Sequence, residues 1–183
     1  LEVVQERLER EFDLNLVITA PSVQYRITLV DGTEVSVNSP LEFPESGTVQ
    51  ESREPYIKAS IITPDTFLGQ MLTLCNDRRG IQKDMIYLDT SRVEVIFEMP
   101  LSEVLFDFYD NLKSLSRGYA SFDYFPDGYK QSHLVKMDIM LNGDQVDALS
   151  ALIHRDHAFD LGKRICIKLK ELIPRQQFMI ALQ

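Results

Sequence analysis

The chain has no tryptophan, two cysteines and three histidines in 183 residues, and each scarcity removes a class of chemistry. Cys75 and Cys166 lie far apart and neither belongs to a C-x-x-C pair, so no disulfide framework or zinc ribbon can be assembled from them. Cys75 sits on an apolar stripe and reads as a reduced core thiol, which points to a cytosolic compartment. No apolar run approaches the ~18 residues needed to span a bilayer, and no stretch of this sequence reads as a signal peptide. Positive charge is short as well: the net charge of −9 argues against a general nucleic-acid coat, because phosphate affinity comes chiefly from clustered Lys and Arg. The loops G-x-x-x-x-G-K-[ST] and G-x-G-x-x-G are missing, as is the G-x-S-x-G elbow. His154 and His157 flank Arg155-Asp156 at a spacing a helix could turn to one side, but no third ligand follows at a recognisable distance and Arg155 disfavours a cation. An exposed polar turn is the preferred reading over a metal site. The carboxylate pairs Glu94 with Glu98 and Asp107 with Asp110 have no apolar pocket to raise a pKa and read as solvated faces.

What is present is an internal echo. With 44% apolar residues the chain has ample material for a core. Between Glu54 and Tyr124 it twice describes a strand, a helix opened by proline and closed by Arg-Gly, and another strand. In the first copy, Glu54 to Thr63 is a strand, Thr63-Pro64-Asp65 offers a hydroxyl N-cap, a proline and an early carboxylate, and Leu68, Met71, Leu72 and Cys75 form a helical stripe. Gly80 after Arg78-Arg79 suits the C′ position. In the second copy Pro100 opens the helix, Val104, Leu105, Phe108, Tyr109 and Leu112 make the stripe, and Arg117-Gly118 ends it. Gly80 to Tyr87 and Val93 to Met99 read as strands joined by a turn near Asp89-Thr90. The order βαββαβ predicts an α+β, ferredoxin-like sandwich, an antiparallel sheet with both helices on one face.

On the flanks, Leu1 to Phe12 reads as an amphipathic helix already under way at the first residue, without methionine, which suggests a piece of something longer. Asp13 to Ala20 reads as a strand ended by Pro21, and alternation on both sides of Asp31-Gly32 predicts a hairpin. Residues 38–53, rich in Ser, Pro, Glu and Gly, read as a linker. Beyond the sandwich, Val135 to Leu141 alternates toward Asn142-Gly143 with Val146 beyond, which predicts another hairpin. A helix is expected from Ala158 to Leu172, stopped by Pro174, and then a strand at Phe178 to Leu182. Charge changes sign along the chain: from Ser150 onward six basic residues face three acidic ones, so this tail carries +3 and the first 149 residues −12. The aromatic residues Phe106, Phe108, Tyr109, Tyr119, Phe122, Tyr124 and Phe125 could stack RNA bases. They lack the accompanying RNP pattern, so core packing is the preferred reading.

Several of these residues carry a resemblance. Arg53-Glu54-Pro55, Pro64 with Leu68-Gly69, Arg78-Arg79-Gly80, Met99-Pro100-Leu101-Ser102-Glu103-Val104 and Ser114 through Arg117-Gly118-Tyr119-Ala120-Ser121 resemble the fifth domain of elongation factor G. Asn142-Gly143 with Val146-Asp147-Ala148-Leu149, His154-Arg155-Asp156, and Leu172-Ile173-Pro174-Arg175-Gln176-Gln177-Phe178 resemble the LepA (elongation factor 4) family of translational GTPases. Leu1 to Glu11 is similar to the helix that helps close that family's third domain. The resemblance covers essentially the whole chain.

It implies the end of a third-domain-like module with its hairpin at 1–37, a linker at 38–53, an elongation factor G-like domain at 54–141 and the start of a family-specific carboxyl-terminal domain at 142–183. It implies ribosomal RNA, ribosomal proteins and tRNA as partners, with no DNA, and a cytoplasmic location with peripheral contact at the inner face of the cell membrane. The family's GTP and magnesium belong to an amino-terminal domain not represented here, so this chain is expected to need no cofactor and to remodel tRNA positions, in back-translocation, by docking. The residues expected to meet RNA are Arg78, Arg79, Lys113 and Arg117 at the two Arg-Gly corners, and Arg155, Lys163 and Arg164 in the tail. A stand-alone ferredoxin-like RNA-binding module is the alternative, and a ferredoxin-like enzyme would need a pocket of convergent titratable groups that the sequence does not supply.

Overall fold

The computed structural model describes residues 2–14, 22–105 and 107–173. The strand expected at 13–20 lies outside them from residue 15 onward, as do Pro174 and the strand expected at 178–182. The amino-terminal helix α1, Glu2–Phe12, forms where expected. Its apolar Val4 and Phe12 are exposed in this chain.

Period-2 burial builds the central sheet. Strand β1 (Tyr25–Leu29) turns through Asp31-Gly32 into β2 (Glu34–Val37), and β3 (Val49–Pro64) follows as the longest strand. After it come helix α2 (Leu68–Asp77), strands β4 (Ile81–Tyr87) and β5 (Arg92–Pro100), helix α3 (Phe108–Leu115) and strand β6 (Ser121–Gln131). The order β4-β5-β3-β6, antiparallel at every pairing, is the expected ferredoxin-like arrangement. Ile57, Ala59 and Ile61 of β3 and Val93, Val95, Phe97 and Met99 of β5 point to one face. They meet Met71, Leu74 and Cys75 of α2 and Phe108 and Leu112 of α3. Burying each of the larger side chains contributes about 1.5–3 kcal/mol, so this layer dominates stability. Burial pushes the Cys75 thiol up to about 12, as suits a core thiol.

The proline-to-glycine device works differently at both ends from the expectation. Thr63 is no N-cap: it is fully buried in β3, opposite Val93. A 3-10 turn at Asp65–Phe67 precedes α2 instead. At the other end the left-handed residue is Arg79 (φ 58), not Gly80. Arg79 N–H donates to the Asn76 carbonyl (3.1 Å) and Gly80 N–H to that of Cys75 (2.8 Å), the two bonds of a Schellman motif. The second copy repeats it: Arg117 (φ 51) donates to Ser114 (3.2 Å) and Gly118 to Lys113 (2.7 Å). Gly80 is required for closeness rather than for φ, since a Cβ there would lie 2.6 Å from the Cys75 carbonyl oxygen. The second helix is also shorter than expected. Leu101–Glu103 is a 3-10 turn, Asp107 is left-handed (φ 38), and α3 starts only at Phe108. The break lets Leu101 and Leu105 pack on a second core while Val104 and Phe108 pack on the first.

That second core shows that the expected linker is partly strand. Residues 49–53 open β3 and pair with β1, Arg26 opposite Arg53. Arg53 also pairs with Gln131 of β6, so β1 lies on the opposite edge of β3 from β6 and extends the sheet past the end of β5. The inward Ser52 and Glu54 were hidden in the sequence by their own polarity and by Pro nearby, which depress strand propensity while tertiary pairing overrides it. Val23, Tyr25, Ile27 and Val37 of the hairpin pack there with Leu134, flanked by Leu101 and Leu152.

The carboxyl-terminal region pairs over a longer range than expected. Strand β7 (Leu134–Met137) ends before Asp138, whose carboxylate accepts from Ser150 Oγ (2.7 Å) and Gln145 Nε2 (2.9 Å). Strands β8 (Met140–Leu141) and β9 (Asp144–Gln145) make a minimal hairpin around Asn142-Gly143, both at positive φ. The true partner of β7 is β10 (Ala151–His154), which feeds directly into α4 (Arg155–Leu172). The Ser52 hydroxyl donates to the Ser132 carbonyl and accepts from the Leu134 N–H, tying β7 to β3.

Two glycine replacements separate the roles of space and backbone. Gly69, exposed in α2 with nothing near its Cβ direction, should gain about 0.5–1 kcal/mol on replacement by alanine. Gly80→Ala should lose about 1–3 kcal/mol through the clash with Cys75. Urea denaturation of both variants checks the opposite signs; equal effects would contradict the packing described.

Candidate nucleic-acid interface

The seven basic residues expected to touch RNA fall into two groups. Arg79 belongs to the interior. Its left-handed backbone swings the guanidinium onto Glu54, donating at 2.6 and 3.2 Å in a bidentate pair, and onto Glu103 at 2.8 Å. Glu54 is 1% exposed, and Ser102 Oγ also donates to it (3.4 Å). Although burial alone would lower it, these carboxylates hold the Arg79 pKa above its ordinary value. Tyr25 shares the site: burial and the negative charge of Glu54 push its hydroxyl up to about 12. The guanidinium of Arg79, expected to meet RNA, is engaged inside the chain as a clamp on Glu54 and Glu103. Its left-handed conformation costs about 1–2 kcal/mol, which a buried bidentate pair offsets. Arg78 is also engaged, donating to Asp107 at 2.6 Å.

Of the others, all but the half-buried Lys113 are exposed. Lys113 Nζ donates to the Ala120 carbonyl at 2.7 Å and lies 5.4 Å from the centre of the Tyr109 ring. Arg117 is exposed, and its guanidinium has no hydrogen-bond or ion-pair partner among the described residues. On α4, Arg155, Lys163 and Arg164 are exposed. The structure brings the tail and the first corner together: a groove of about 530 Å³ separates Arg78, Glu103 and Asp107 from Leu161, Arg164 and Lys168 of α4. Lys168 was not expected there; its place one turn beyond Arg164 was the available signal.

The sequence 154–157 is exposed at Arg155, Asp156 and His157, as expected, but it is the start of α4 rather than a turn. His154 caps α4, its Nδ1 accepting from the Asp156 N–H at 3.3 Å, and its side chain is largely buried. Its ring lies between those of His133 and His157, 6.4 and 6.2 Å away, so all three histidines meet. Burial, then the charge of Arg79, depress the His154 pKa. The aromatic run divides too. Phe108 is core and Phe122 packs on it, whereas Tyr109, Tyr119, Tyr124 and Phe125 are exposed. Phe106 lies outside the described residues.

Replacing Arg79 with alanine strands a buried carboxylate and should cost about 3–5 kcal/mol. Adding Glu54→Gln should recover part of that loss, and strictly additive losses in denaturant titrations would contradict the clamp. His154 gives a pH dependence. Its folded pKa lies below the unfolded value of about 6.5, so the unfolded chain binds the proton first and stability is full above that value and falls as pH drops through it. Between about pH 7.5 and 5.5 the parent should lose more thermal stability than His154→Asn, which keeps a neutral cap; parallel profiles would contradict it.

Sequence comparisons agree with this architecture. A profile described as Elongation factor G C-terminus matches residues 51–140, and one described as GTP-binding protein LepA C-terminus matches 141–183. The pairing of β7 with β10 crosses that boundary. Elongation factor 4 of Cytophaga hutchinsonii is 55% identical over 184 residues, covering 100% of this chain and 31% of that protein. Those of Shouchella clausii and Latilactobacillus sakei are 52% and 55% identical, each covering 100% of this chain and 30% of theirs. The chain therefore spans under a third of the length of the curated relatives it matches. Matched from end to end, and by two adjoining profiles in the order its strands require, the chain belongs to the LepA, or elongation factor 4, family of translation factors.

Proposed function

We infer that this chain is the ribosome-docking portion of a translational GTPase that remodels tRNA positions, in the sense of back-translocation. The observation that carries the reading is identity of 52–55% along the entire chain to proteins named elongation factor 4. Ribosomal RNA, ribosomal proteins and tRNA are then the partners, and the cytoplasm is the place of work. GTP and magnesium would be held by the part of the relatives outside this chain, since the sequence carries no phosphate loop. The chain's own contribution is geometric. A packed sandwich keeps the cations of the second corner, the half-buried Lys113 and the exposed Arg117, at a fixed distance from those of α4, Arg155, Lys163 and Arg164. The acidic body repels phosphate over much of the remaining surface, which favours contact at these places.

Co-sedimentation with purified ribosomes tests this. The chain should pellet with them, more weakly as salt rises. Charge reversal at Arg117, Lys163 and Arg164 together should weaken binding about tenfold or more and flatten the salt dependence. A chain that stays in the supernatant at low salt would overturn the reading.

A further inference from the structure

Arg117 holds a left-handed backbone (φ 51) at a position where glycine is the usual occupant. Its twin Arg79 recovers that strain through Glu54 and Glu103, but the Arg117 side chain is exposed and its guanidinium has no partner among the described residues. Nothing internal accounts for an arginine there. Two residues on, Tyr119 is 72% exposed, and its ring is stacked on Phe67 at 6.4 Å with an interplanar angle of 13°. Phe67 is partly buried, so it gives the Tyr119 ring a near-parallel neighbour on one side while most of Tyr119 stays exposed. Lys113 Nζ, bound to the carbonyl of Ala120, closes the same turn.

We propose that Tyr119 and Arg117 form a receptor for one unpaired RNA nucleotide, the base stacking on the open face of Tyr119 and its phosphate meeting Arg117. This deepens the docking role above and rests on it. A π-face suits any base, and a guanidinium two residues away on the same turn suits the attached phosphate. The alternative, a continuous duplex, needs a row of cations. Here Asp65, two residues before Phe67, and Asp110, beside Tyr109, break up the positive charge. A bulged or looped-out nucleotide presents one base and one phosphate together, which matches the pair available.

The test compares the chain's affinity for an RNA hairpin carrying a single-nucleotide bulge with that for its fully paired counterpart, by fluorescence anisotropy. The bulged hairpin should bind about tenfold tighter. Tyr119→Ala should abolish that preference and Tyr119→Phe should keep it. Arg117→Gly suits the left-handed backbone and should fold at least as stably, yet bind both RNAs more weakly. Equal binding of the two hairpins by the parent, no binding of either, or a preference that survives Tyr119→Ala would overturn the receptor. Ribosome co-sedimentation separates the two levels. A parent chain that pellets but shows no bulge preference removes the receptor alone, and one that does not pellet removes the docking reading as well.

Discussion

The guanidinium of Arg79, clamped between Glu54 and Glu103, is the contact on which the arrangement of this chain depends. Glu54 lies on β3, the strand shared by the hairpin and the sandwich, and Glu103 lies in the turn before α3. Ser102 and Tyr25 extend the network toward the hairpin, and the charge of Arg79 reaches His154 at the start of α4. Each partner comes from a different part of the chain. A buried ion pair is weak evidence for added stability against a well-packed apolar alternative, but removing one partner is strongly unfavourable. The clamp therefore specifies how the parts meet more than it adds to their sum.

The same backbone device serves two ends. Both helices close with arginine in the left-handed region and glycine after it. In the first copy the side chain turns inward to carboxylates; in the second it is exposed and meets none among the described residues. One local geometry thus gives an internal tie and an external cation, and the difference is set by whether acidic residues are near. Beyond the corners, α4 supplies Arg164 and Lys168 to a groove whose other wall holds Arg78 and Asp107.

Much of the sandwich was legible from sequence because its signals are local: Met71 and Cys75 at helical spacing, Val93, Val95 and Phe97 in alternation, and the repeated Arg-Gly corner. What escaped depends on long-range pairing. Nothing near Ser52 announces that it bonds to Ser132, or that residues 49–53 are strand rather than linker. The partner of Val135 and Met137 is β10, not the nearer Val146, because Asp138 gathers Ser150 and Gln145 and bends the chain. His133 carries no motif with His154 and His157, and only folding brings their rings together. Among the site residues, type and exposure were readable for Arg117 and Lys163. The burial of Arg79 was not, since Glu54 is 25 residues away in the chain. Tyr119 looked like core and is surface.

The most direct measurement is amide hydrogen exchange, followed by mass spectrometry, on the parent chain and on Arg79→Met. If the clamp joins hairpin, sandwich and carboxyl-terminal region into one unit, amides of β1, β3, β7 and β10 should share one opening free energy in the parent. In the variant those of β1, β7 and β10 should open first, ahead of the β3–β5 core. Exchange in β7 and β10 that is independent of the sandwich in the parent, and unchanged by the substitution, would contradict the account.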